Sequence, residues 1–176
     1  MSSWFAKITG NAITLDNLCN VLLLQLRDLY SAEQQLTQAL PKMAEAAHST
    51  ELRNAFNTHL VETRGQITRL DRVFKMLNKD ASGETCEAME GLIKEGQEVI
   101  GLDGDPEVKD AALIAAAQRV EHYEIAGYGC ARAFARKLGK HDVASLLQET
   151  IDEEANADKI LTKVAESVVN EEAMQH

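Results

Sequence analysis

Four stretches of this 176-residue sequence place cation-binding side chains where a helix would otherwise bury apolar ones. Glu33 falls between Leu29 and Leu36 in a leucine seam. His59, Glu62 and Gln66 recur at i, i+3 and i+7, so they share one helix face. Glu121 and Glu124 share a face with Ala117, Tyr128 and Ala131. Glu153 shares one with Leu146, Thr150, Ala157 and Ile160. A bare carboxylate in an apolar interior is costly, so each must be paired, protonated or metal-bound. Several meeting at one level would repel one another, and a pair of divalent cations would neutralise and bridge them. The spacing therefore predicts a dinuclear site on Glu33, His59, Glu62, Glu121, Glu124 and Glu153. His59 is its nitrogen donor, and Gln66 or Glu149 is left to complete the shell.

The bland alternative is a metal-free helical scaffold or interaction protein. Its acids would be protonated, bridged by water or paired with Arg27, Arg53 or Arg119. Tyr30, Tyr123 and Tyr128 are read either as carboxylate partners or as packed aromatics with one wet end. His122 lies a quarter turn from the acidic face and reads as a surface group or one standing behind the ligands.

These residues need long helices to position them. Ala, Leu, Glu and Gln dominate the chain, Pro occurs twice, and no alternating β-branched run appears. The first long helix is expected after Thr14, with Pro41 ending or kinking it. The second follows Ser49-Thr50-Glu51 and runs to about Leu77. A turn over 78–83 and a short helix over about 84–100 come next. The third long helix starts at the Asp105 cap with Pro106 in its first position and closes at Gly139. The fourth runs from about Asp142 to Val169. Two helix pairs joined by a long crossover predict an all-α, ferritin-like four-helix bundle with an extra short helix in the crossover. It is expected over 14–170, after a lead-in over 1–13 carrying Trp4, Phe5 and Ile8, and before a frayed end over 171–176. Gly65, Gly127 and Gly129 lie inside helices and read as close-packing positions.

A formal net charge of −10 argues against nucleic acid or an anionic membrane as partner. Cys19, Cys86 and Cys130 lack metal or redox spacing and read as reduced thiols, as in a cytoplasmic protein. There is no apolar run long enough to span a bilayer and no phosphate loop, nucleophile elbow or dinucleotide fingerprint.

Several long stretches resemble the YciE/YciF-like stress-protein family of ferritin-like proteins. They are Tyr30-Ser-Ala-Glu-Gln-Gln-Leu-Thr-Gln-Ala-Leu-Pro-Lys, His59-Leu-Val-Glu-Thr-Arg-Gly-Gln-Ile and Cys86-Glu-Ala-Met-Glu-Gly-Leu-Ile. Asp110-Ala-Ala-Leu-Ile-Ala-Ala-Ala-Gln-Arg-Val-Glu-His-Tyr-Glu-Ile-Ala and Leu147-Gln-Glu-Thr-Ile-Asp-Glu-Glu complete them. The resemblance covers about residues 14–165. It implies a rubrerythrin-like bundle, usually a homodimer, with two iron ions (or manganese) at a dinuclear site and a link to bacterial stress. A reaction with peroxide or dioxygen would suit it. Ferritins and rubrerythrins carry Glu-x-x-His on the second and fourth helices. Here Gly65 follows Glu62 and Asn156 follows Glu153 at those positions.

Overall fold

The computed structural model describes residues 14–81 and 84–175. The lead-in with Trp4, Phe5 and Ile8, the Ser82-Gly83 part of the predicted turn, and His176 lie outside the described residues. The chain runs through α1 (Leu18–Ala46), α2 (Thr50–Met76), α3 (Glu87–Gly101), α4 (Pro106–Lys137) and α5 (His141–Val164). A five-residue π-helical segment, Ala165–Val169, then leads into α6 (Asn170–Ala173). Helix continues past the expected fray point at 171.

Local chemistry sets most of the boundaries. Asn17, Ser49 and Asp105 cap α1, α2 and α4 by accepting amide hydrogen bonds from Asn20, Leu52, and Glu107 and Val108. Gly139 ends α4 with a φ of +70°, the left-handed region a Cβ disfavours. Pro41 does not end α1, which continues through it to Ala46. Proline is exposed there, while Leu36, Leu40, Met43 and Ala44 around it are buried. Each buried large side chain contributes about 1.5–3 kcal/mol, which outweighs the lost hydrogen bond.

The helices α1/α2 and α4/α5 form two hairpins that pack together as a four-helix bundle. The connection between them carries α3, which lies against α1 and α4. Asp110 of α4 pins the first hairpin's turn, accepting from the amides of His48 at 2.9 Å and Ser49 at 2.6 Å. Gly127 lets α4 approach α1, because an added Cβ would lie 2.9 Å from Leu29 Cδ2. Gly65 and Gly129 meet nothing within 4 Å, so the close-packing expectation fails for them. No helix of the described residues is long and apolar enough to cross a membrane.

The core falls into two apolar clusters. One contains Leu36, Leu40, Phe56, Leu113, Val120 and Leu161. The other contains Leu22, Leu26, Leu70, Phe74, Tyr128 and Leu147. Along every long helix the chain passes from one cluster to the other through a short buried polar stretch. Glu33 marks it on α1, His59 to Gln66 on α2, Glu121 to Glu124 on α4, and Thr150 to Glu154 on α5. The bundle thus carries a single polar layer between two greasy halves.

Candidate metal centre

Glu33 enters this layer from α1 with no exposure to solvent, held in place by Leu29, Ala32 and Leu36. Tyr128 of α4 donates its hydroxyl to Glu33 Oε1 at 2.5 Å, and Glu33 Oε2 has no partner. A neutral donor can satisfy one carboxylate oxygen but cannot cancel its charge.

On α2, His59 is buried and its ring is oriented from behind. Glu62, still about a third exposed, stands 3.3 Å from Nδ1. The ring's other nitrogen, Nε2, points inward, 3.5 Å from both Glu121 Oε2 and Glu154 Oε2, without hydrogen-bond geometry. A carboxylate on one ring nitrogen fixes the tautomer and raises the donor strength of the other, the usual arrangement of a metal-binding histidine. Two turns along, Gln66 is fully buried. It donates to Glu153 Oε2 at 3.1 Å and to Glu154 Oε1, and leaves its own Oε1 unpartnered.

From α4 come Glu121 and Glu124, three residues apart on the inner face. From α5 comes Glu154, between Thr150 and Ala157. His59, Glu121, Glu124 and Glu154 each offer a ligand atom, and these atoms all lie within 4.8 Å of one another. Oxygen and nitrogen ligands sit about 2.0–2.2 Å from an ion such as zinc, so ligands on opposite sides are about 4.4 Å apart. The four side chains would close on one divalent cation with little movement. Glu121 Oε2, both oxygens of Glu124, and Glu154 Oε2 are buried without hydrogen-bond partners. Orphaned acceptors of this kind are rare in folded proteins, and these converge from two helices, α4 and α5.

Electrostatics follow from that geometry. Burial raises the pKa of Glu33 well above its ordinary value, and the charge of Glu154 adds to the effect. Burial does the same to Glu121, again with Glu154, and to Glu124, with Glu33. Glu154 is raised by burial too, tempered by His59. Burial alone would lower His59, but its bond to Glu62 and the charge of Glu154 outweigh this and raise it. Without a cation, protons must neutralise the layer. A divalent ion would displace them, which fits the donor set of three carboxylates and one imidazole.

Of the residues predicted from sequence, His59, Glu121 and Glu124 meet in the cluster. Glu33 stands beside it, where the charge of Glu154 acts on it. Glu62 stays behind His59, on the solvent side. Glu153 turns away. Arg69 holds it through two bonds of 2.7 and 2.9 Å, while the same guanidinium bonds Thr150 at 2.8 Å. The α5 residue in the cluster is its neighbour Glu154. Gln66 reaches the layer, whereas Glu149 is more than half exposed and paired with Arg69. Among the tyrosines, only Tyr128 bonds a carboxylate of the layer. Tyr123 donates to Asp28 at 2.5 Å and meets Cys86 Sγ at 3.0 Å, and Tyr30 packs edge-on against Phe74. His122 is largely exposed, 3.4 Å from Asp158. Cys19, Cys86 and Cys130 are free thiols.

Two helical hairpins, a crossover helix and inward carboxylates on α1, α4 and α5 define a ferritin-like carboxylate bundle. The chain belongs to the family described as Domain of unknown function (DUF892), which matches residues 17–174, and within it to the YciE/YciF-like proteins. It is 51% identical to Protein YciF of Escherichia coli over 149 residues, 84% of this chain and 90% of that protein. The crystal structure of that E. coli stress protein matches with a TM-score of 0.86 and 48% identity, over 89% of this chain and 99% of that one. YcfI from Rhodopseudomonas palustris, whose description offers a structural role, matches with a TM-score of 0.85 and 46% identity over the same shares.

Proposed function

We propose that this protein is a dinuclear metal protein of the bacterial stress response, with iron as its metal and manganese as the alternative. The observation that carries the reading is the convergence of unpartnered buried atoms: His59 Nε2, Glu121 Oε2, both oxygens of Glu124, Glu154 Oε2 and Glu33 Oε2. His59, Glu121, Glu124 and Glu154 would hold one ion. Glu33, with the remaining oxygens of Glu124 and Glu154, offers donors for a second. Reduced iron would supply electrons to peroxide or dioxygen. The residues' own part is to bind and orient, to keep bulk water out, and to release protons as metal enters. The stress role is taken from YciF, described as a stress protein. A cytoplasmic homodimer is part of the same proposal and rests on the family resemblance.

Equilibrium dialysis against ferrous or manganous ion, followed by metal analysis and thermal melts, tests this. Two ions per chain and a raised melting temperature are expected, because an ion bound only by the native state stabilises it. Protein that retains neither metal and melts unchanged overturns the reading.

A second reading, a metal-free structural bundle, draws on Glu33, Glu153 and Glu154, which already have protein partners in Tyr128, Arg69 and Gln66. It leaves Glu124 unexplained, since both its oxygens are orphaned.

A further inference from the structure

Glu33, Glu124 and Glu154 of the polar layer have no exposure to solvent, whereas His59 keeps 5% and Glu121 3%. These last two both line an open cleft of 320 Å³ between α2 and α5. Glu121 also borders a groove under α3, but its unpartnered Oε2 is turned to His59, 3.5 Å from Nε2. The cleft is therefore the approach from solvent to the layer's ligand atoms.

Wall chemistry and charge restrict what can rest there. Ala55, Phe56, Ala157, Ile160 and Leu161 form the walls, so the surface is mainly apolar. Ile160 is 37% exposed, a large apolar side chain left open to the cleft. Glu51 and Glu62 stand nearer the solvent, and among the described residues no lysine or arginine lines the space. An anion would meet like charge with nothing to offset it. Size narrows the choice further. A water claims about 30 Å³ of liquid, and hydrogen peroxide is little larger, so the cleft has room for about ten such molecules. Sites for organic ligands start at about 300 Å³ and are mostly apolar, with a few convergent polar groups.

We propose that the cleft binds a neutral organic hydroperoxide, its apolar body against Ala55, Phe56 and Ile160 and its peroxide group toward His59 and Glu121. The proposal rests on the metal reading above and names the reactant of that same site. The oxygen–oxygen bond breaks as two electrons from two ferrous ions and two protons enter, and the hydroperoxide leaves as one alcohol and one water.

Two wall residues that offer no ligand atom make the test clean. Ala55 is half-buried, so Ala55→Leu adds bulk to the cleft, and Ile160 is exposed, so Ile160→Gln replaces apolar wall with an amide. The test has three measurements on the full chain: NMR titration of the metal-free protein with cumyl alcohol, cobalt titration, and oxidation of bound ferrous iron by cumene hydroperoxide or by hydrogen peroxide. Cumyl alcohol should shift the methyl signals of Ala55 and Ile160 saturably in the wild type, and both variants should bind it severalfold more weakly. The variants should bind cobalt as wild type does, react severalfold more slowly with cumene hydroperoxide, and keep their rate with hydrogen peroxide. Variants that slow both peroxides equally, or neither, overturn the proposal. If cobalt does not bind the wild type, the metal reading and the reduction fall together. If cobalt binds and cumyl alcohol does not, only the hydroperoxide site falls.

Discussion

Glu62 stands 3.3 Å from Nδ1 of His59, on the side of the imidazole opposite Glu121 and Glu154. This pair sets which ring nitrogen faces the interior. Removing Glu62 leaves every carboxylate of the cluster in place but frees the ring. Glu62→Ala should weaken metal affinity by about 10–100-fold, the usual cost of losing a carboxylate behind a histidine ligand. Isothermal titration with cobalt measures this. An unchanged affinity would mean that His59 is not a ligand.

Glu124 is fully buried, and neither of its oxygens has a partner. In chelator-treated protein, Glu124→Leu should be neutral or stabilising by about 1–4 kcal/mol, because an apolar group of similar volume replaces a costly one. In metal-saturated protein the order should reverse, with the wild type melting higher. Paired melts with and without manganese decide the point. A destabilised variant in chelator would show that the carboxyl is satisfied in the metal-free fold.

The layer should also print a pH signature on the metal-free protein. Glu33, Glu121, Glu124 and Glu154 have folded-state pKa values raised above 4.5, with burial the largest cause. Their contribution to stability is complete below that value and is lost as pH rises through the raised values, since the folded state then holds more protons than the unfolded one. Urea denaturation of the wild type should therefore lose stability relative to a Glu121→Gln/Glu124→Gln variant between about pH 4.5 and neutrality. Metal affinity should run the other way, rising with pH as protons leave. A wild-type-to-variant difference that stays flat with pH would contradict the assignment.

The helices and their order were legible from short-range chemistry. The Asp105-Pro106 start and the Gly139 stop are local signals, and they hold. That α1 does not end at Pro41 is not legible locally, because the proline's penalty is local while the compensation is not. Leu36, Leu40 and Met43 are buried by tertiary packing that no local rule contains. The position of Glu153 fails for a related reason. Leu146-Glu153-Ile160 and Leu147-Glu154-Leu161 are the same heptad one residue apart, and both are apolar at their ends. Either acid can share a face with Thr150 and Ala157. The structure buries Leu161 and leaves Ile160 37% exposed, which selects Glu154. Nothing within α5 announces that choice. The arginine that takes Glu153 lies on α2, more than 80 residues away in the chain.

Arg69 gives Glu153 a structural role instead. Its side chain is mostly buried, bonds Glu153 twice and also holds Thr150. Arg69→Met should destabilise the fold by roughly 1–3 kcal/mol, the cost of stranding a charged hydrogen-bond partner. Glu153→Gln should cost less and leave cobalt affinity within a few-fold of wild type. A large loss of affinity in Glu153→Gln would place that residue among the ligands after all.

Pro41 is exposed inside α1 and contributes no amide hydrogen to it. Pro41→Ala should stabilise the protein by up to about 3 kcal/mol, read as a shift in the urea midpoint without a change in slope. A destabilised variant would mean that the helix needs a proline-specific bend.

The central claim is that a metal sits among these particular side chains. Anomalous scattering from a crystal soaked in ferrous or manganous ion tests it most directly. Peaks are expected within bonding distance of His59 Nε2 and the carboxylates of Glu121, Glu124 and Glu154, with Glu33 at a second ion. Saturating metal that leaves this layer without a peak, or that binds only at surface acids such as Glu149, would contradict it.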